Sequence, residues 1–195
     1  AELIDRERLR GSLHRLESAE RLQRALYAIA DLASADLEMP EMLAGIHDIV
    51  GDLMYAENFM IVQHDHARGR VRFIYFVDSH DSDKPDPDKE FDVDDLRNSL
   101  TVAMLRHGRP VMGPSQQLRA ELGVAGDESF GPDSVDWLGV PMLAGSDVRG
   151  GIVVQTYDDS MRYSEEDLAL LSYVAQHILT ALVRKQAHEE LENRV

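Results

Sequence analysis

Apolar residues recur at helical spacing from Leu3 to about Ala33, through Leu9, Leu13 and Leu16 and then Leu22, Leu26, Ile29 and Ala33. They predict one long amphipathic helix. The leucine stripe of its first half is narrow and flanked by Arg and Glu, as in a coiled-coil seam. The Ala- and Leu-rich second half suits packing on a domain. The stripe shifts register between Leu16 and Leu22, so it is not a strict heptad repeat. A second helix opens at Pro40, buries Leu43, Ile46, Val50 and Leu53, and ends near Tyr55.

The period then changes. Phe59 to Gln63 and Val71 to Asp78 are rich in β-branched and aromatic residues, and the Gly69 turn between them makes an antiparallel hairpin. Strict alternation in the second strand puts Phe73, Tyr75 and Val77 on one face and Ile74 and Phe76 on the other. Asp78 to Asp95 holds nine acids and reads as a mobile surface loop. Leu96 to His107 returns to helical spacing and stops at Gly108. Arg109 to Met112 fits a short strand, and a brief helix follows Ser115. Gly123 to Asp133 reads as a second loop. Val135 to Leu143 and Gly150 to Tyr157 form another hairpin about Ala144 to Asp147. The last helix starts from a capping box of Ser164 and Asp167, with Tyr163 stapled onto Leu168, and runs to Val195.

Composition narrows the function. The 195 residues suit one domain, and 20 Lys and Arg against 36 Asp and Glu leave a net charge of −16, which repels both nucleic acid and anionic membrane surfaces. The absence of cysteine excludes disulfides, thiolate metal sites, iron–sulfur clusters, a Cys nucleophile and a thioether-linked chromophore. No apolar run approaches the roughly 18 residues of a membrane span. The opening residues do not form a signal peptide, so a cytoplasmic location without membrane insertion of this segment is expected. Helical ends without stop signals suggest a piece of a longer protein.

The stretch Asp133 to Leu182 carries a Val-Pro strand, a glycine turn, a second strand, an aromatic-plus-Ser cap and an acidic helix start continuing Leu-Leu. With the order helix, helix, hairpin, helical middle, hairpin, long helix, it resembles the GAF domain over residues from about 22 to 184. The resemblance implies an α+β, PAS-like fold: a central antiparallel sheet with the terminal helices on one face and a pocket under short helices on the other. It divides the chain into a signalling and dimerisation helix at 1–21, the domain at 22–184 and the start of a coiled-coil linker at 185–195. Leu22 to Tyr27 and Gly131 to Pro141 are similar to modules placed before GGDEF or EAL domains of bacterial cyclic-di-GMP enzymes, and modules before histidine kinases look much the same. The Asn-Lys-Phe-Asp-Glu signature of cyclic-nucleotide-binding members is absent.

Between Leu96 and Ala120 lie Arg97, Arg106, Arg109 and Arg119 and no acid. In the implied arrangement these sit over the pocket, where guanidinium forks recognise carboxylate or phosphate, or they pair with the acidic segment before them. Trp137, beside Ser134 and Asp136, either stacks on a ligand or packs in the core. The expected ligand-binding set is Phe73, Tyr75, Arg97, Met104, Arg106, Ser134, Asp136 and Trp137. His64 with His66, and the run Asp81, Asp83, Asp86 and Asp88, lack the further ligands of a metal or calcium site. No catalytic motif, metal or cofactor is assigned. The expected function is a non-catalytic sensor that binds an unknown small molecule, forms a homodimer through its first and last helices, and controls a covalently attached diguanylate cyclase or cyclic-di-GMP phosphodiesterase. The alternatives are a histidine kinase sensor or a structural dimerisation module with a closed pocket.

Overall fold

The computed structural model describes residues 1–81, 83–126 and 133–194. Helix α1 (Glu2–Ser34) leads into α2 (Met39–Leu53), which has proline in its first turn. Strands β1 (Asn58–Asp65) and β2 (Arg70–Val77) form the first hairpin, and β5 (Asp136–Ala144) and β6 (Asp147–Thr156) the second. Between the hairpins come β3 (Phe91–Asp92), a 3-10 turn (Val93–Leu96), α3 (Leu100–His107), β4 (Val111–Gly113) and α4 (Ser115–Leu122). Helix α5 (Glu165–Asn193) closes the fold from the expected capping box, in which Ser164 and Asp167 bond each other's backbone N–H groups. The six strands lie in the order β3-β2-β1-β6-β5-β4, antiparallel throughout.

Two cores divide the sheet. On one face Ile61, Val140, Met142, Ile152 and Val154 pack against α1, α2 and α5 through Ile29, Ile46, Leu171, Val174 and Ile178. On the other, Val62, Val71 and Val153 pack against Leu100, Met104 and Leu105 of α3 and Leu118 of α4. The register shift along α1 falls where the helix docks on the domain. Leu9, Leu13 and Leu16 are exposed, whereas Ala25, Ile29 and Ala33 are buried on the domain. The α1 and α5 helices run parallel, since Ser18 donates to Glu166 at 3.2 Å and Lys185 donates to the Ala35 carbonyl at 3.4 Å.

Three expectations are corrected. The β1–β2 register slips between Ile61 and Val62, which leaves Ile74 unpaired as a bulge. Ile74 and Tyr75 therefore both join the helix-side core, and Phe73 packs in the opposite one, so alternation does not hold across this strand. The acidic segment is not loop throughout. Phe91 packs edge-on against Phe73 with centroids 5.7 Å apart and brings β3 onto the sheet edge. The predicted helix from Leu96 starts only at Leu100, because the 3-10 turn, held by the Asp92 side chain on the Asp94 N–H, occupies the residues before it. The expected loop at 123–133 lies at 127–132 outside the described residues, as does the expected helix end at Val195.

A Cβ at Gly150 would lie against the Val62 carbonyl oxygen in the neighbouring strand, well inside contact distance, whereas one at Gly51 in α2 would meet nothing. Gly150→Ala is therefore expected to cost about 1–3 kcal/mol in urea unfolding. Gly51→Ala should instead be neutral or stabilise by up to about 1 kcal/mol.

Candidate functional site

The sheet face that carries α3 and α4 is only partly covered. Beside those helices lies a cavity of about 400 Å³. Its floor is Met60 of β1, Phe73 and Phe76 of β2, Trp137 of β5 and Gln155 of β6. Its walls are Leu96, Leu100 and Thr101, then Ser115 and Arg119 of α4, and Phe91 of β3. Asp78, Asp81, Asp83, Lys84 and Tyr157 line its remaining side. A larger open cleft of about 730 Å³ lies between the β1–β2 turn and α5. It is lined mainly by charged and polar groups such as Arg70, Arg72 and Asp147, and by no Phe, Tyr or Trp. A binding site for an organic molecule needs apolar walls with a few placed polar groups, so the smaller cavity is the candidate.

Local sequence explains how its side chains are held. The Trp137 indole folds along its own strand over Gly139, where a Cβ would collide with the ring. Glycine two residues on therefore lets the indole lie flat as a wall, 3% exposed. Ser115 and Ser134 are both buried and share one hydrogen bond of 2.7 Å between their hydroxyls. Thr101, 4% exposed, donates to the Met60 sulfur at 3.6 Å, a weak acceptor. Arg119 is clamped by Asp133 at 2.9 Å and by the carbonyls of Asn98 and Ala125.

At the other end Asp78 organises the start of the acidic segment. Its carboxylate accepts from Gln155 Nε2 at 2.8 Å, from the Tyr157 hydroxyl at 2.9 Å and from the backbone N–H groups of His80 and Asp81. Buried Asn58 adds a second tie, accepting from Ser79 N–H at 2.7 Å while donating to the Gln155 carbonyl. The His80 ring stacks on Tyr157 with centroids 3.9 Å apart. Burial first, then the Asp78 carboxylate, push the Tyr157 hydroxyl well above the usual phenol range.

Of the expected set, the structure brings Phe73, Ser134 and Trp137 to the cavity. Tyr75 faces the other side of the sheet, where its hydroxyl meets His47 Nδ1 at 2.7 Å, because the Ile74 bulge turns it there. Asp136 also faces the helices and accepts from the Tyr163 N–H at 2.7 Å. Met104 is buried beneath the sheet against Gly151. Arg106 pairs with Asp94 at 2.8 Å, and Arg97 is exposed and does not line the cavity. The pairing of guanidiniums with the acidic segment thus accounts for Arg106. Sequence reasoning did not reach Thr101, Ser115, Gln155 or the Asn58–Asp78–Tyr157 network. The legible signal was Asp78 two residues before His80, the spacing of a side-chain-capped turn. Elsewhere His64 Nδ1 meets the Val148 carbonyl at 2.9 Å, and Asp81 and Asp86 accept from the backbone N–H groups of Asp83 and Asp88.

An antiparallel α+β domain, sealed by helices on one sheet face and holding a small-molecule-sized cavity on the other, is the class that fold and site define. The family model of the GAF domain matches residues 36–183, and the chain belongs to that family. Its fold is similar to that of the GAF domain of a phosphoenolpyruvate-protein phosphotransferase from Coxiella burnetii, at 16% identity over 88% of this chain and 98% of that one, TM-score 0.67. It is similar also to residues 122 to 287 of a methyl-accepting chemotaxis protein, at 15% identity over 84% and 99%, TM-score 0.63. A third likeness is to free methionine-R-sulfoxide reductase from Neisseria meningitidis in complex with its substrate, at 13% identity over 88% and 91%, TM-score 0.57. No curated protein matches the sequence. Among the described residues no helix is long and apolar enough to cross a membrane.

Native Tyr157 holds its proton at pH values where unfolded tyrosines, with pKa near about 10, have lost theirs. Above that value the native state binds more protons than the unfolded one, so this contribution to stability is present below pH of about 10 and is lost as pH rises. Urea unfolding is expected to show stability falling above pH of about 10, and less steeply in Tyr157→Phe.

Proposed function

We propose that this domain is a non-catalytic sensor that binds a small organic molecule in the cavity and passes the bound state to an attached output domain through α1 and α5. One observation supports this reading above others. On β5, Trp137 faces the cavity and the next residue, Leu138, lies in the core beneath α5. A ligand that moves the indole therefore acts on a strand directly packed against the output helix. Coupling of about 1–3 kcal/mol suffices to change an output several-fold or more. The chain has no Cys, so thiol chemistry is not open to it. The resemblance to modules before GGDEF and EAL domains makes a cyclic-di-GMP enzyme the proposed output, with a cytoplasmic setting.

The proposed assembly is a homodimer through the terminal helices. In α1 the residues Leu9, Leu13 and Leu16 are spaced four and three apart and exposed, with Leu3, Ile4 and Tyr27 also exposed. Five such leucine or isoleucine side chains on one helix are left exposed among the described residues, and a second copy would bury them. The double variant Leu13→Glu/Leu16→Glu tests this by analytical ultracentrifugation. The wild-type chain is expected to sediment as a dimer at micromolar concentration and the variant as a monomer with unchanged thermal stability of the domain. A monomeric wild type would remove the dimeric part of the reading and favour signalling within one chain.

A further inference from the structure

The charges around the cavity are not balanced, and the imbalance distinguishes ligand classes. Arg119, the guanidinium that lines it, is already held by Asp133 and two backbone carbonyls. Asp78 is satisfied by an amide, a phenol and two backbone N–H groups, all neutral donors, so hydrogen bonding does not cancel its charge. With Asp81 and Asp83 it makes three carboxylates facing one cation, Lys84. Arg97 and Arg106, which would have served an anion, lie elsewhere. The whole chain adds a net charge of −16, a long-range field that disfavours anions and favours cations.

The interior supplies the complement of such a charge. Phe73, Phe76, Phe91 and Trp137 line the space, and aromatic rings attract cations at their faces as well as apolar bodies. Lys89 already places its Nζ 4.8 Å from the Phe91 ring centroid. Buried Thr101, whose only partner among the described residues is a thioether, retains an oxygen able to bond a polar atom inside.

We infer that the cavity takes an organic cation with an aromatic or bulky apolar body, its nitrogen at the Asp78–Asp81–Asp83 side and its body between the rings. This rests on the proposed binding role of the cavity and adds the chemical class of the occupant. Phosphorylated or carboxylate ligands meet the same carboxylates as repulsion, with desolvation costs that no unengaged guanidinium in the lining offsets.

Three probes of one shape and different charge test it: phenethylamine, 2-phenylethanol and 3-phenylpropanoate. Each is titrated into the full chain with the fluorescence of Trp137, the only tryptophan, as readout. Ethylammonium, which has the charge without the ring, serves as control. The amine is expected to bind at least tenfold more tightly than the acid, with the alcohol between and ethylammonium silent. In the Asp81→Asn/Asp83→Asn variant, which alters only carboxylates on the segment lining the mouth, that preference should fall at least threefold. A preference below threefold, or tighter binding of the acid, overturns the cation class and leaves the binding role intact. A Trp137 signal unmoved by all three probes up to about 10 mM overturns the binding role as well.

Discussion

Two-sided burial of β5 and β6 is the constraint on which the rest of the molecule depends. From Asp136 to Met142 every residue of β5 is buried, as are Gly150 to Val154 of β6, so neighbouring residues on these strands face two different packed layers. Strands buried on both faces read as continuous apolar runs rather than alternations. They also need glycine wherever a partner comes closer than a side chain allows. Gly150 meets that need against β1, Gly151 against the Met104 methyl, and Gly139 under the Trp137 ring. These strands supply Trp137 and Gln155 to the floor of the cavity and form the seat of α5.

Legibility in the sequence followed the range of the interactions. Long helices, both hairpins and the Ser164–Asp167 capping box depend on residues near one another, and their patterns were plain. The GAF resemblance supplied the layer order that periodicity alone does not contain. The bulge at Ile74 has no local signature, yet one extra residue reverses every later side chain, which is why Tyr75 was placed with Phe73 and lies on the opposite face. Strand β3 has two residues and so no period to read. Its position is set by Phe91 meeting Phe73, a contact between segments about twenty residues apart.

The candidate site divides in the same way. Trp137 and Ser134 were visible because an aromatic beside small polar residues at the start of a strand is unusual. Arg106 matched a ligand-binding pattern by residue type, but an ion pair with Asp94 twelve residues earlier engages it. The Asn58–Asp78–Gln155–Tyr157 network joins positions up to 97 apart and could not be read from spacing. It also changes the meaning of the acidic run. A segment that composition alone leaves solvated is tied to β6 at one end by Asp78 and to the sheet edge at the other by Phe91, and thereby becomes a wall of the cavity.

The parallel pairing of α1 and α5 bears on what kind of movement the proposed signalling would use. Lys185 is 4% exposed, and its Nζ donates to the Ala35 carbonyl at the C-terminal end of α1. This satisfies a helix-end acceptor and places a basic group where the helix dipole favours one. Sliding α5 along α1 by one turn would separate that donor from its acceptor inside an apolar layer. Leaving a buried donor unpaired costs about 1–3 kcal/mol, and more if it is charged. That matches or exceeds the coupling energies by which bound ligands commonly shift a protein's balance between states. The cheaper response to displacement of β5 is therefore motion of α1 and α5 together as one body against the sheet. In that motion the Leu171, Val174 and Ile178 ridge changes its seat while the contact between the two helices persists.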